Sequence, residues 1–182
     1  MLGIVFSVLK LLALKAKYGK RLKIEKIHQN ICYDTEISVG KDAHLSLVDI
    51  YTGTNNHLVC EHGEMELGAG VIFNRNCIAV CWQKIKIGNG CLFGPNVCIY
   101  DHDHEFGMNG VSPNKFMCSD IIIEDGCWIG AGSIILRGTH IGKNTVIGAG
   151  TVVKGDIPPD SLVISSRETK TIPLSFLKNN EK

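Results

Sequence analysis

IGNGCL, FGPNVC and IYDHDH (residues 87–104), followed after an interruption by IEDGCW, IGAGSI, ILRGTH, IGKNTV, IGAGTV and VKGDIP (residues 123–158), place nine six-residue blocks in one register. Their first place holds Ile87, Phe93, Ile99, Ile123, Ile129, Ile135, Ile141, Ile147 and Val153. Gly follows at 88, 94, 130, 142 and 148, and the fifth place is small or β-branched, as in Cys91, Val97, Cys127, Ser133, Thr139, Thr145 and Thr151. A helix repeats every 3.6 residues and a strand every two, so neither alone yields a regular six. A short strand followed by a sharp corner does. The bulky first residue then faces inward, the fifth fits the turn, and Gly and Asn give the corner its backbone freedom. Self-similarity at a fixed period predicts an all-β parallel solenoid.

An earlier phase of the same repeat runs through Leu67, Phe73 and Ala79 and reaches the main phase at Ile87 after a two-residue slip near 83–86, expected as an enlarged corner or bulge. Residues 37–50 alternate as irregular early rungs, and 51–57 are a turn by composition. Residues 101–120, DHDHEFGMNGVSPNKFMCSD, are polar and rich in turn formers, so they are expected to leave the solenoid as a functional loop. The expected division is a cap segment at 1–36, the solenoid at 37–160 and a tail at 161–182. Residues 1–17, MLGIVFSVLKLLALKAK, read as an apolar helix followed by Lys20, Arg21, Lys23 and Lys26. The stretch is too short and too interrupted by Lys10 and Lys15 to span a bilayer. The favoured role is a cover for the open end of the solenoid; the alternative is peripheral membrane contact through residues 1–26.

The 182 residues suffice for one solenoid domain, and a net charge of +1 argues against nucleic acid as the main partner. Eight cysteines invite a disulfide reading, but Cys77, Cys91 and Cys127 occupy the small fifth place. Free cysteines packing as small hydrophobes place the chain in the reducing cytoplasm, or at the inner face of the membrane.

The hexads, with GPNV before a His-bearing interruption and WIGAGSII, IGAGTVV and DIPP after it, resemble the hexapeptide-repeat acyltransferases over roughly residues 67–160. The nearest resemblance is to the O-acetyltransferases of galactoside, maltose, xenobiotic and capsular-polysaccharide type. It implies a left-handed parallel β-helix, whereas physics alone would make the crossovers right-handed. It also implies a homotrimer that moves an acetyl group from acetyl-coenzyme A to a carbohydrate hydroxyl, with no metal. The family's general base follows the proline of the motif by nine positions, which is His104 here. Imidazole titrates near neutrality and suits the task. Asp101, Asp103 or Glu105 would orient the ring, or a backbone carbonyl would. His102, Asn74 and Trp82 are the acceptor-binding candidates, Trp82 standing where the galactoside group has an acid. Trp128, Ala131, Gly148, Ala149 and Lys154 match coenzyme-contacting positions, with Lys154 one place early in the family's Thr-Lys pair. The family's C-terminal arginines have no match in place, and Arg167 and Lys170 stand in as candidates. Alternatives are a zinc hydratase like the γ-class carbonic anhydrases, an N-acetyltransferase on an amino sugar, and a non-catalytic scaffold. For zinc, His57 and His62 alone have the late-pair spacing, and His102 and His104 are expected to diverge.

Overall fold

A computed structural model describes residues 2–108 and 110–166. After α1 (Leu2–Tyr18), which ends where Gly19 enters the left-handed region at φ 58°, the chain winds through seven coils. The first contributes β1 (Leu22–Ile24) and β2 (Asn30–Ile31). The second is the single long strand β3 (Glu36–Thr52), and the third is β4 (His57–Phe73). From the fourth onward each coil divides into three short strands: β5 (Ile78–Cys81), β6 (Lys84–Ile87) and β7 (Leu92–Phe93). The fifth begins with β8 (Cys98–Tyr100), detours through β9 (His102–Gly107) and β10 (Gly110–Cys118), and resumes with β11 (Ile121–Ile123) and β12 (Trp128–Ile129). The sixth has β13 (Ile134–Leu136), β14 (His140–Ile141) and β15 (Val146–Ile147); the last has β16 (Val152–Val153), β17 (Asp156–Ile157) and β18 (Leu162–Val163).

All neighbouring coils pair in parallel, so the solenoid has three flat faces. The first carries β5, β8, β13 and β16; the second β6, β11, β14 and β17; the third β7, β12, β15 and β18. The fold is a left-handed parallel β-helix. Every first-place residue of the nine hexads is buried, from Ile87 to Val153, and so is every fifth-place residue named above. Like stacks on like down the axis: Leu67, Ile87, Ile123 and Ile141 adjoin in register, and the rings of Phe73 and Phe93 lie 4.6 Å apart.

The second and fourth places separate two uses of glycine that the sequence reading had merged. Second-place glycines keep ordinary φ values and lie where the next coil comes closest; a Cβ on Gly130 would sit 2.6 Å from the amide nitrogen of Ala149. The left-handed turn belongs to the fourth place, where Gly90, Asn96, Gly126, Gly132, Gly138, Asn144 and Gly150 all have positive φ.

The early coils correct the expected boundaries. β1 and β2 already pair with β3, so the solenoid begins near Leu22 rather than at 37, and β18 pairs with β15, carrying it past 160 to Val163. The first coil has no glycine between its strands, and at the final corner the positive φ falls on Asp160, so neither carries the glycine by which the repeat is recognised. The two-residue slip is the enlarged corner at Trp82 and Gln83, after which Ile85 and Ile87 both point inward. The 101–120 insert does leave the solenoid, and it is itself ordered as an antiparallel hairpin, β9 against β10. Ile123 then takes the hexad place that follows Ile99. Arg167 and Lys170, with the rest of 167–182, lie outside the described residues.

Candidate active site

The hairpin departs from the corner between the first and second faces, and one buried carboxylate fixes that corner. Asp101, 0% exposed, accepts the amide N–H groups of Trp82, Gln83 and Lys84 at 2.7–3.0 Å. Three donors converging on one side chain hold the enlarged corner in shape. Burial pushes the Asp101 carboxyl up, but the hydrogen bonds from His102 and from the Gln83 and Trp82 amides outweigh it and hold the group below the usual carboxylate range. The same carboxylate meets His102 Nδ1 at 3.1 Å.

His104 is the exposed histidine of the hairpin. Its Nδ1 lies 3.2 Å from the carbonyl oxygen of Ser112 on β10. A carbonyl can only accept, so Nδ1 carries the proton and the Nε2 lone pair of the neutral ring is left for another partner. The cross-strand neighbour Phe116 supports the ring at 4.7 Å. None of the three candidate acids reaches His104: Asp101 is taken up by the corner and His102, Asp103 pairs with Arg137 of the next coil at 2.6 Å, and Glu105 is exposed on β9. The group in contact with the His104 ring nitrogen is the backbone carbonyl of Ser112.

His102 and His104 do not diverge. Two residues apart on one strand they share a face, as the strand period of two requires, and both rings touch Phe116. His102 is the more enclosed, among Trp82, Tyr100 and Phe116 at 5.6, 6.2 and 5.6 Å. Trp82 is half-buried beneath the hairpin, 4.0 Å from Phe116 and 4.8 Å from His62, and thus props the aromatic cluster from below. His57 pairs with Glu36 at 2.8 Å, away from the hairpin. Among the described residues no three His, Cys, Asp or Glu side chains converge as a metal-ligand set.

The other sequence-derived candidates sit elsewhere on the same chain. Asn74 begins the corner between the third and first faces, where its side chain accepts the N–H of Arg75 at 2.8 Å. Ala131, Gly148 and Ala149 occupy the same corner on later coils, with Trp128 outward on the third face and 53% exposed. Lys154 is exposed at the corner between the first and second faces, the corner of His104 two coils on. One chain therefore brings together His104, His102, Trp82 and Asp101, and holds Asn74 and the small-residue corner apart from them. Sequence reasoning missed Phe116, Arg137 and the Ser112 carbonyl. The aromatic Phe116 within a polar insert was a visible signal; a backbone carbonyl leaves none.

A family model described as bacterial transferase hexapeptide (six repeats) matches residues 120–155. The chain is 41% identical over 98 residues to the galactoside O-acetyltransferase of Lactococcus lactis subsp. lactis, covering 52% of this chain and 45% of that protein. It is 33% identical over 164 residues to the provisionally named acetyltransferase YJL218W of Saccharomyces cerevisiae, covering 86% and 81%. The chain thus spans about half the length of the first of these relatives. Among solved structures, a hexapeptide-repeat acetyltransferase of Vibrio cholerae O1 biovar eltor, complexed with acetyl-coenzyme A, superposes with a TM-score of 0.59 at 25% identity, over 86% of this chain and 72% of that one.

Proposed function

The chain belongs to the hexapeptide-repeat acetyltransferase family, and from that premise we propose that it moves an acetyl group from acetyl-coenzyme A to a carbohydrate hydroxyl, with His104 as general base. The observation that carries the reading is the Nδ1 contact of His104 with the Ser112 carbonyl, which leaves Nε2 basic and exposed. Nε2 takes the acceptor's proton as its oxygen attacks the thioester carbonyl. Collapse of the tetrahedral intermediate breaks the C–S bond, and the departing thiolate recovers the proton from the imidazolium. Phe116, beside His104, offers an apolar face to a sugar ring. The acceptor class is a surface polysaccharide or its sugar precursor, and the free cysteines support the cytoplasm as the compartment.

The working unit in this reading is a homotrimer. Along the third face Tyr51, Ile72, Leu92, Trp128, Val146 and Leu162 stack outward in one apolar ladder, and along the first face Ile78, Cys98, Ile134 and Val152 do the same. The second face instead presents Ser46, Glu66, Lys86, Ile122, His140 and Asp156. Two apolar faces and one polar face suit a closed three-fold ring of solenoids. Such a ring brings the corner of Asn74, Ala131 and Ala149 on one copy toward His104 and Lys154 on the next, with the coenzyme between them.

A specific observation favours a second reading of the base: His102 has a buried carboxylate behind it. Acetyl-coenzyme A consumption against a panel of sugars and nucleotide sugars separates the two. His104→Ala is expected to lower turnover by about 10²–10⁴ and leave coenzyme affinity unchanged, while His102→Ala is milder. The opposite ranking transfers the role to His102, and a folded protein inert with every acceptor defeats the proposal.

A further inference from the structure

α1 has two apolar faces, and the solenoid uses one. Towards the first coil it turns Ser7, Leu11, Leu14 and Tyr18; Leu11 is fully buried, and the Ser7 hydroxyl donates to the Ile31 carbonyl at 2.7 Å and accepts its N–H at 3.1 Å. This end-cover was the favoured expectation for the segment. On the opposite side Val5, Leu9 and Leu12, at i, i+4 and i+7, are 57%, 58% and 52% exposed, with Phe6 at 59% beside them and Ala13 and Ala16 extending the stripe.

Charge is organised around that stripe. Lys10 and Lys15, on the flanks of the helix, reach back to the solenoid: the Lys10 ammonium donates to the carbonyls of Cys32, Tyr33 and Thr35, and that of Lys15 to the carbonyl of Leu22. The outer stripe is thereby left without charge, while Lys17 and Lys20 remain exposed at its C-terminal end. Residues 2–24 contain six bases and no acid; the first carboxylate is Glu25. At the other end of the helix a cavity of about 610 Å³ opens beside Phe6, walled by Ile31, Tyr33 and Tyr51 with Arg75 at its margin. Tyr33 is 79% exposed, an amphipathic ring of the kind that settles at headgroup depth.

We infer that the outer face of α1 docks the protein on an anionic phospholipid surface, lying in the interface plane with the stripe among the acyl chains and the bases among the headgroups. No described helix is long and apolar enough to cross a membrane, which fits a helix that lies flat. A second copy is a poorer occupant. Stripe against stripe would gather the bases of both helices with no acid in either to answer them, whereas anionic headgroups supply the missing complement. Val5, Leu9 and Leu12 lie on the side of α1 opposite the coil it covers, and Phe6 at its N-terminal end borders the cavity that Tyr51 also walls. A trimer would then present three stripes on one side, and multivalency would strengthen a contact that is weak singly. The inference rests on the cytoplasmic placement proposed above, since the leaflet met there is the anionic one.

The test is flotation of the full chain with vesicles of phosphatidylcholine alone, or with a third of it replaced by phosphatidylglycerol. The protein is expected to float with the anionic vesicles and not with the neutral ones. The double variant Leu9→Asp/Leu12→Asp should lose at least about tenfold in vesicle affinity, and Lys17→Glu/Lys20→Glu about fivefold for each base reversed. Both should keep wild-type turnover on a water-soluble acceptor. Leu9→Asp/Leu12→Asp should also keep wild-type melting, because Leu9 and Leu12 are exposed on the outer face. Lys17→Glu/Lys20→Glu should melt slightly lower, since the Lys17 ammonium lies 4.9 Å from the centroid of the buried Tyr18 ring. Wild-type protein that stays off anionic vesicles overturns the inference, as does undiminished flotation of Leu9→Asp/Leu12→Asp. So does a larger assembly in sedimentation that this variant dissolves, which would make the occupant a second copy. Flotation with no turnover on any acceptor would instead sink the acetyl-transfer reading and leave the docking intact.

Discussion

Asp101 joins the architecture of the enlarged corner to the chemistry beside it. Its carboxylate, itself fully buried, accepts three backbone N–H groups and a histidine. In Asp101→Asn an amide would set its own donors against those donors, and the loss is expected to be about 2–4 kcal/mol at pH 7, read from urea melts. The pH dependence has a definite sign. The folded-state pKa lies below the ordinary 3.8, so the stabilisation is fully present above that ordinary value and is lost as pH falls through the folded one. The gap between wild type and variant should therefore narrow on acidification below 3.8. A gap that persists unchanged would mean that the charge of Asp101 does not hold the corner.

At the scale of elements, each hexad is a two- or three-residue strand and a corner, and its two glycine places carry different physics. In Gly130→Ala the new Cβ would lie 2.6 Å from the Ala149 nitrogen and 2.7 Å from the Ile147 oxygen. Both are backbone atoms of the next coil and cannot swing aside, so a loss of about 2–3 kcal/mol is expected. Gly132 has φ +68° and open space around its Cβ position. Asn tolerates that region and already fills the same hexad place at 96 and 144, so Gly132→Asn should cost about 1 kcal/mol or less. Thermal melts of the two variants check the order, and equal losses would contradict the division of roles. The hairpin is a separate unit: its antiparallel pairing is its own, and the Asp103–Arg137 ion pair ties it to the next coil.

For the whole molecule, the decisive expectation is that a complete site needs two chains. Sedimentation should give three copies of 19.9 kDa, about 60 kDa together. A sharper check is complementation. His104→Ala removes the base, and Ala149→Trp, at an exposed position of the small-residue corner, would fill the coenzyme groove there. Each alone should be nearly inactive, yet trimers assembled from a mixture contain some sites in which both residues are native. Recovered turnover in the mixture is the expected result. Its absence, with mixed trimers shown to form, would place His104 and the groove on a single chain.

Much of this was legible in the residues. The period of six determined the solenoid, because only a strand-and-corner unit repeats at that interval, and each first-place residue from Ile87 to Val153 is indeed buried. The polar insert at 101–120 marked the departure from the coil, whereas His104 was pointed to by the family resemblance, through its spacing from Pro95, and not by the residues alone. The first coil, at Leu22–Ile31, was illegible because its strands pair without the glycine corners that advertise the repeat. The partners within the hairpin were beyond reach for another reason. Ser112 meets His104 through a backbone carbonyl that every residue possesses, and Asp101 meets amides about twenty positions earlier only because the coil returns there. Periodicity follows from local chain geometry, which the sequence states residue by residue; contacts between coils depend on how the chain closes on itself, and only the tertiary structure decides them.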